Sequence, residues 1–159
     1  MAEKWKQHFG VYGVYVLDDS LLVVKKTRGP YTNRFDLPGG SLNANESLVS
    51  GLSRELQEEV GQNFEIQDLL GIQEYLIPWV IKDATHLHHI AVFFKIQPLE
   101  QLRKISVVAD DTKGFALIKI NELHETNASP LLLDVLKILK GVSIPSTFKK
   151  YEDWDYLGD

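Results

Sequence analysis

Three glutamates within one short segment are the residues of this sequence best suited to chemistry. Glu55, Glu58 and Glu59 follow one another closely, so in an α-helix they would cover about 100° of the surface within about one turn. Ionised carboxylates about 5.5 Å apart repel each other by roughly 3 kcal/mol at an effective dielectric constant of 20. A cation is needed to offset this repulsion unless the acids simply face water.

A stripe of apolar residues on the same predicted helix argues against a fully solvated acidic face. The stripe consists of Leu48, Leu52, Leu56 and Val60. At 100° per residue the three glutamates overlap the edge of this stripe instead of opposing it. Gly51 lies near this edge, and we expect it to leave space for a ligand. Oxygen ligands without His or Cys suit Mg²⁺ or Mn²⁺, so the pattern predicts a site for a divalent cation.

Turn formers and apolar periodicity predict the elements that position these acids. Asn43 or Asn45 is expected to cap the helix, which runs to about Val60, and Gly61 has the position of a left-handed C-cap. A loop over residues 28–40 precedes it, around a short extended piece at 35–38. Strands are predicted at residues 9–17, 21–27, 63–77 with a bend near Gly71, 88–97 and 113–120.

A second helix is predicted near the end of the chain. Ser129 and Pro130 precede an apolar run that stops at Gly141, which is the usual placement of proline and glycine at helix ends. Strands with one helix early and one late favour an α/β domain with α/β/α layers. We expect a single domain over residues 1–159, with the aromatic and acidic tail, 142–159, either packed on it or mobile.

Composition excludes several classes of protein. The chain has 159 residues, of which 44% are hydrophobic and 25% charged, so it is neither disordered nor collagen-like. It has no cysteine, which excludes disulfides and a cysteine nucleophile. Its apolar runs of about five residues are far short of the ~20 that span a bilayer, and no signal peptide is evident. We expect a cytoplasmic protein, and the net charge of -5 disfavours nucleic-acid binding.

The segment Gly40–Gln62 resembles the Nudix box, G-x5-E-x7-R-E-U-x-E-E-x-G-U, in which U is a bulky apolar residue. Eight typed positions agree in residue and spacing: Gly40, Glu46, Arg54, Glu55, Leu56, Glu58, Glu59 and Gly61. Gln62 departs from the pattern because an apolar residue is usual there, and we expect looser packing but no lost ligand. The preceding residues 37–39, Leu-Pro-Gly, also resemble the family's usual lead-in.

The resemblance implies a Nudix hydrolase with a Nudix-type α/β/α sandwich and a mixed central sheet. Members of this family use Mg²⁺ or Mn²⁺ and water to split a nucleoside diphosphate linked to another group. Carried over by position, the metal would be bound by side chains of Glu55, Glu58 and Glu59, helped by a backbone carbonyl of Gly39 or Gly40.

The resemblance also implies roles for the polar partners of these acids. Arg54 would hold the glutamates by ion pairing and so belong to the catalytic group, while Glu46 would steady the junction of loop and helix. A general base must take a proton from the attacking water. Glu55 and Glu58 are the candidates within the box, and the pair 110–111, two aspartates, is the alternative, although a surface turn is the preferred interpretation of that pair.

Basic and aromatic side chains just before the box are candidates for contacts with the substrate. The cations are Lys25, Lys26, Arg28 and Arg34, and we expect one or two of them to meet phosphates, with Arg28 and Arg34 as the assigned pair. Tyr31 and Phe35 can stack on a base. For Phe35, packing beneath the loop is an equal alternative.

Two further residues bear on the kind of substrate. Pro78 lies 16 residues beyond the box, an offset that resembles some ADP-ribose pyrophosphatases, and Trp79 beside it is placed to face an adenine. A turn at the end of a strand explains this proline equally well. The sequence therefore favours a small nucleotide-type substrate, with a weak preference for ADP-ribose.

Histidines and tail aromatics have structural interpretations that we prefer. His86 and His88 would share one strand face, but lining of a pocket or a solvated edge is favoured over a metal site for them and for His89. Trp154 and Tyr156 are expected to pack within the chain. Contact with a second subunit is the alternative, which keeps a homodimer open.

Two other functions compete with the hydrolase. A non-catalytic Nudix-fold module that binds or senses a nucleotide is free to lose the acids of the box, whereas this chain keeps all of them, which favours the enzyme. A Nudix-fold isomerase of prenyl diphosphates relies on a cysteine, and this chain has none.

Overall fold

The structure, a computed structural model, describes residues 2–103, 112–144 and 149–158. The two α-helices are α1 (Leu48–Val60) and α2 (Pro130–Leu139), and a short 3₁₀ helix covers Ile120–Glu122. The strands are β1 (Trp5–Val14), β2 (Val16–Leu17), β3 (Ser20–Lys26), β4 (Phe35–Asp36), β5 (Gly39–Ser41), β6 (Phe64–Ile81), β7 (Ala84–Pro98), β8 (Thr112–Lys119) and β9 (Lys149–Lys150).

These strands form two sheets with strands of both directions. The larger has the order β5-β1-β7-β6-β9. In it β1 pairs with β7 in parallel, while β5 pairs with β1 and β6 pairs with β7 in antiparallel fashion. In the smaller sheet β3 pairs with β2, β4 and β8, all antiparallel. Among the described strands, β5, which opens the box, pairs only with β1.

Each face of the sheets carries its own apolar cluster. Neighbouring residues of one strand point to opposite faces, and on β1 Val11 lies in the cluster beneath α1 while Tyr12 lies in the cluster beneath α2. Strand β7 repeats this division with Val92 and Phe93. Since both faces are buried against a helix, the predicted α/β/α architecture with a mixed central sheet is confirmed.

Several boundaries differ from the predictions. Helix α1 is capped by Ser47, which exchanges hydrogen bonds with Ser50 in a capping box, so the prediction of Asn43 or Asn45 as the cap was wrong. Gly61 has φ 76°, and the predicted left-handed C-cap is confirmed. Ser129 caps α2 with Pro130 in its first turn, also as predicted. Strand β6 continues to Ile81, and its pairing shifts register on both sides of Leu69, near the predicted bend.

The position at which the box departs from its pattern is well packed. Gln62 is 6% exposed. Its side-chain amide donates to the carbonyl of Gln101 at 3.1 Å, and its carbonyl accepts the Arg103 amide at 2.8 Å. The expectation of looser packing was wrong because the glutamine replaces an apolar contact with two hydrogen bonds to a neighbouring segment.

Neither helix in the described part of the chain is both long enough and apolar enough to cross a bilayer.

Candidate active site

The glutamates of α1 differ in burial in the order of their angles on the helical wheel. Glu59, nearest the apolar stripe, is 1% exposed. The Glu55 side chain is 15% exposed and that of Glu58 54% exposed. Glu59 therefore lies at the margin of the core and Glu58 in solvent, as their spacing predicted. The buried carboxylate of Glu59 therefore needs a cation or an N–H donor as its partner.

Arg54 is the cation that organises this acidic surface. Its Nε donates to Glu46 Oε2 at 2.7 Å and its Nη2 to Glu46 Oε1 at 2.8 Å, so the guanidinium grips this carboxylate with two parallel bonds. Its Nη1 lies 3.1 Å from Glu55 Oε1 and 3.3 Å from Glu58 Oε1. The hydrogen bond from Arg54 is the main cause that lowers the pKa of Glu46, and the same bond raises the pKa of Arg54.

Two glycines bring backbone against the glutamates. The Gly39 amide donates to Glu59 Oε1 at 2.7 Å. Gly39 has φ 139°, and a Cβ there would lie 2.1 Å from the Val11 carbonyl oxygen, so only glycine fits. A Cβ on Gly40 would lie 2.9 Å from the carboxylate of Glu55. The missing side chain of Gly40 therefore makes the room in which the Glu55 carboxylate sits.

Gly51 has a different purpose from the one expected. A Cβ on Gly51 would lie 2.2 Å from Leu42 Cδ2, so the space beside it is filled by this leucine. The expectation that Gly51 leaves space for a ligand was wrong. Its lack of a side chain lets the segment before α1 pack tightly on the helix.

The donor set suits a hard divalent cation, although the carboxylates are paired with protein groups here. Among the described residues, no three His, Asp or Glu side chains are spaced to share one ion. Glu55 and Glu58 are turned to Arg54, and Glu59 to the amide of Gly39. The three carboxylates nevertheless lie within one turn of α1, and the lack of a side chain at Gly40 makes room for that of Glu55. Carboxylate oxygens are the ligands that Mg²⁺ and Mn²⁺ prefer.

A cleft of about 360 Å³ opens beside this acidic surface. Three of the predicted substrate residues line it, namely Arg28, Tyr31 and Trp79. Further cations at its wall are Lys6 and Lys26, and the apolar side is completed by Ile81 and Leu87. Ser41 joins the cleft to the box, because it lines the cleft while its carbonyl accepts from Arg54 Nη2 at 2.9 Å.

A buried histidine bound to two tyrosines forms the floor of the cleft. Both ring nitrogens of His89 lie 2.8 Å from a hydroxyl, Nε2 from Tyr12 and Nδ1 from Tyr31. Burial is the main cause that holds the pKa of His89 well below its usual 6.5, with the nearby side chains of His8 and Lys26 lowering it further. A neutral imidazole has one donor and one acceptor nitrogen. One tyrosine hydroxyl therefore donates to the ring, and the other accepts from it.

Sequence reasoning did not single out two of the residues around His89, His8 and Tyr12. His8 stacks on His89 with ring centroids 4.7 Å apart, and Tyr12 reaches it across Gly10, where a Cβ would lie 2.5 Å from the tyrosine hydroxyl. The parallel register of β1 and β7 sets His8 opposite His89. The alternation of His8, Gly10 and Tyr12 on one strand face was the available signal, but nothing local indicated its partner strand.

Two predicted substrate residues lie away from the cleft. Arg34 is 5% exposed and donates to the carbonyls of Glu125, Ala128 and Asp155. Phe35 packs against the core cluster beneath α2, and Lys25 Nζ lies 4.7 Å from its ring centroid. Phe35 thus packs beneath the loop, which was the alternative to contact with a base. The aspartate pair 110–111, the alternative general base, lies outside the described residues.

The histidines that invited interpretation as a metal site have separate partners. His88 Nε2 lies 2.8 Å from Glu74 Oε1, whereas His86 lies against the ring of Trp5 and 3.7 Å from Glu3 Oε1. Only His89 of the three lines the cleft.

The NUDIX domain model matches residues 6–137 of the chain. Because this range covers most of the sequence and includes the whole box, the chain belongs to the NUDIX family, as its residues predicted.

Individual relatives agree with this assignment. The ADP-ribose pyrophosphatase of Methanocaldococcus jannaschii is 32% identical over 62 residues, which cover 39% of this chain and 37% of that protein. The chain thus spans little more than a third of that relative's length. A crystal structure of a MutT NUDIX hydrolase from Burkholderia pseudomallei has a TM-score of 0.64 at 22% identity, covering 87% of this chain and 99% of that one.

A second similar structure was solved with ligands. It is a bifunctional NMN adenylyltransferase/ADP ribose pyrophosphatase from Francisella tularensis, complexed with AMP and a manganese ion. Its TM-score is 0.59 at 19% identity, with 86% of this chain and 42% of that chain covered. At this identity the likeness shows the shared fold.

Proposed function

We propose that this protein is a divalent-metal-dependent hydrolase that cleaves the pyrophosphate bridge of a nucleoside diphosphate linked to a second group. The observation that carries the proposal is the junction at Ser41, where the acidic surface ordered by Arg54 meets a cleft with cationic and aromatic walls. A polyanionic substrate with a base or sugar at its end needs both parts. The whole chain, residues 1–159, acts as one domain in this proposal.

Each part of the site has a defined task in this reaction. Glu55, Glu58 and Glu59 would hold Mg²⁺ or Mn²⁺ together with a carbonyl of Gly39 or Gly40. When bound, such an ion supplies positive charge for the phosphate oxygens and a more acidic water.

The chain's own groups complete the chemistry. Water oxygen attacks one phosphorus, the bridging P–O bond breaks, and two phosphate monoesters leave. Glu55 or Glu58 takes the proton of the water, and Arg54 keeps both carboxylates oriented from one Nη1 atom. Lys6, Lys26 and Arg28 face the cleft with positive charge for phosphate oxygens.

ADP-ribose is the substrate that we propose first. Trp79 is partly exposed and presents aromatic surface at the cleft, which suits stacking of adenine, while the buried Tyr31 backs the same cleft. The M. jannaschii relative is named for ADP-ribose, which agrees in direction.

A substrate panel tests the proposal. The protein is incubated with ADP-ribose, other nucleoside diphosphate conjugates and nucleoside triphosphates, with Mg²⁺, with Mn²⁺ or with a chelator, and scored for AMP, phosphate and pyrophosphate. We expect metal-dependent release of AMP from ADP-ribose, with a kcat/KM at least about tenfold above that for triphosphates. If triphosphates react faster, the proposal of ADP-ribose is rejected.

The same panel, combined with calorimetry, distinguishes the hydrolase from the alternative of a non-catalytic sensor. A nucleotide that binds in calorimetry but is not hydrolysed with either metal would favour the sensor over the hydrolase. We also infer a cytoplasmic location, since a chain without cysteine is compatible with a reducing compartment.

A further inference from the structure

Residues 149–158, here called the C-terminal strap, lie beyond residues 6–137 that the family model matches. The strap begins as β9, whose Lys149 and Lys150 pair in parallel with Tyr75 and Leu76 of β6. The ammonium of Lys149 binds the buried carboxylate of Asp134 on α2. Its start is therefore fixed to both the larger sheet and the second helix.

The strap then hydrogen-bonds the loop that supplies one wall of the cleft. Trp154 Nε1 donates to the Pro30 carbonyl at 2.7 Å, and Asn33 Nδ2 donates to the Leu157 carbonyl at 2.9 Å. Arg34 Nη2 reaches the Asp155 carbonyl at 2.7 Å. All three loop residues lie within 28–34, the segment that carries Arg28 and Tyr31 into the cleft.

The same strap also contacts Trp79, a second aromatic residue that lines the cleft. The ring of Tyr156 lies 5.1 Å from that of Trp79, with 34° between their planes. The ring of Trp154 meets Tyr31 edge-on at 5.9 Å. Two strap residues separated by a single residue thus contact two aromatic residues that line the cleft, Trp154 at Tyr31 and Tyr156 at Trp79.

We propose that Trp154 and Tyr156 are positioning residues that fix the separation of Tyr31 and Trp79 and so determine selection of the base-bearing half of the substrate. The proposal rests on the function proposed above for the cleft. A segment that only covered apolar surface would need no contact with both Tyr31 and Trp79. Because it acts through Tyr31 and Trp79, we expect its effect in substrate binding and not in the chemical step.

Two variants and one control test this role with full-length protein. Tyr156→Ala removes the ring beside Trp79, and Trp154→Phe keeps an aromatic ring but removes the N–H that binds Pro30. Glu152→Gln changes an exposed strap residue as the control. We expect each of the two variants to raise KM for ADP-ribose about three- to tenfold with kcat within about twofold, and the control to match the wild type. A lower melting temperature with unchanged KM in both would overturn the proposal.

A second measurement does not depend on hydrolysis. The amides of Thr32 and Arg34 bond carbonyls within the loop, and that of Asn33 bonds the Lys26 carbonyl at the end of β3, so their hydrogen exchange reports how firmly the loop is held. Loss of one net hydrogen bond predicts about fivefold faster exchange there in Trp154→Phe, with AMP binding weakened in calorimetry.

These results also separate the strap from the function of the whole protein. If the wild type hydrolyses no compound of the panel, the proposed activity fails, while faster loop exchange with weaker AMP binding still supports the strap. Unchanged exchange and unchanged AMP affinity reject the strap, whatever the substrate panel shows.

Discussion

Arg54 binds the carboxylate of Glu46 through two nearly parallel hydrogen bonds of 2.7 and 2.8 Å. The remaining nitrogen of the same guanidinium is thereby aimed at Glu55 and Glu58. Glu46 precedes the helix and Arg54 lies within it, so this pair ties the entering loop to the acidic face. The arrangement depends on a planar fork of donors, which only arginine provides.

Arg54→Lys keeps the charge but removes the fork. We expect kcat/KM to fall at least about tenfold because Glu55 and Glu58 lose their common partner. Because an ion pair at the surface contributes little to stability, the melting temperature should stay close to that of the wild type. Arg103→Lys, at the exposed pair with Glu100, is the control. Equal activity of Arg54→Lys and wild type would contradict the orienting role.

Glu58→Gln removes one proposed ligand and candidate base without changing its shape. We expect kcat to fall by about 100-fold or more with the fold intact, since the side chain is 54% exposed. Turnover and circular dichroism are measured beside Glu65→Gln, an exposed glutamate on β6. Wild-type turnover in Glu58→Gln would refute its assignment.

Gly40→Ala adds a methyl group whose carbon would lie only 2.9 Å from the Glu55 carboxylate. The carboxylate must move, so we expect Mn²⁺ affinity and kcat to fall about tenfold, with little change in melting temperature. Gly71→Ala is the control, because its Cβ would meet only Ile138 at an ordinary 3.6 Å. Calorimetry with Mn²⁺ gives the affinity, and unchanged binding would argue against a metal at Glu55.

The pH dependence of stability should report His89. Its pKa is lowered in the folded protein. Below pH 6.5 this histidine is therefore protonated in the unfolded chain while it stays neutral in the folded one. Stability from this group is therefore present above pH 6.5 and is lost as the pH falls, by up to ~1.4 kcal/mol per pH unit. Urea unfolding between pH 7.5 and 5.5 should show a shallower loss in His89→Gln than in wild type. His124→Gln, at an exposed position, should keep the wild-type slope, and the prediction fails if His89→Gln keeps it as well.

Local patterns predicted the elements whose cause is local. The place of the glutamates at the margin of the core, the C-cap at Gly61 and Pro130 at the start of α2 each depend on a turn or two of helix, and each is confirmed. The start of α1 was not, because Glu46 is bound to Arg54 eight residues later, while Asn43 only donates its amide to Glu46 in the preceding turn. The true cap, Ser47, bonds Ser50 in the helix itself.

Residues positioned by distant partners could not be predicted in this way. Arg34 and Arg28 are similar in sequence context, yet carbonyls of residues 125, 128 and 155 hold Arg34 away from the cleft. His8 and His89 meet because β1 pairs with β7 in parallel, a relationship between segments that are far apart in the chain. No periodicity within either segment encodes it.

That parallel pairing has a consequence for the order of folding. Residues Trp5–Val14 pair with His86–Lys95, so the amino-terminal strand has no neighbour on that side until the ribosome has delivered more than half of the chain. Strand β5 in turn pairs with β1. Closing so long a loop is slow, and the glycines of β5 that contact Glu55 and Glu59 should therefore be among the last groups to reach their places during refolding.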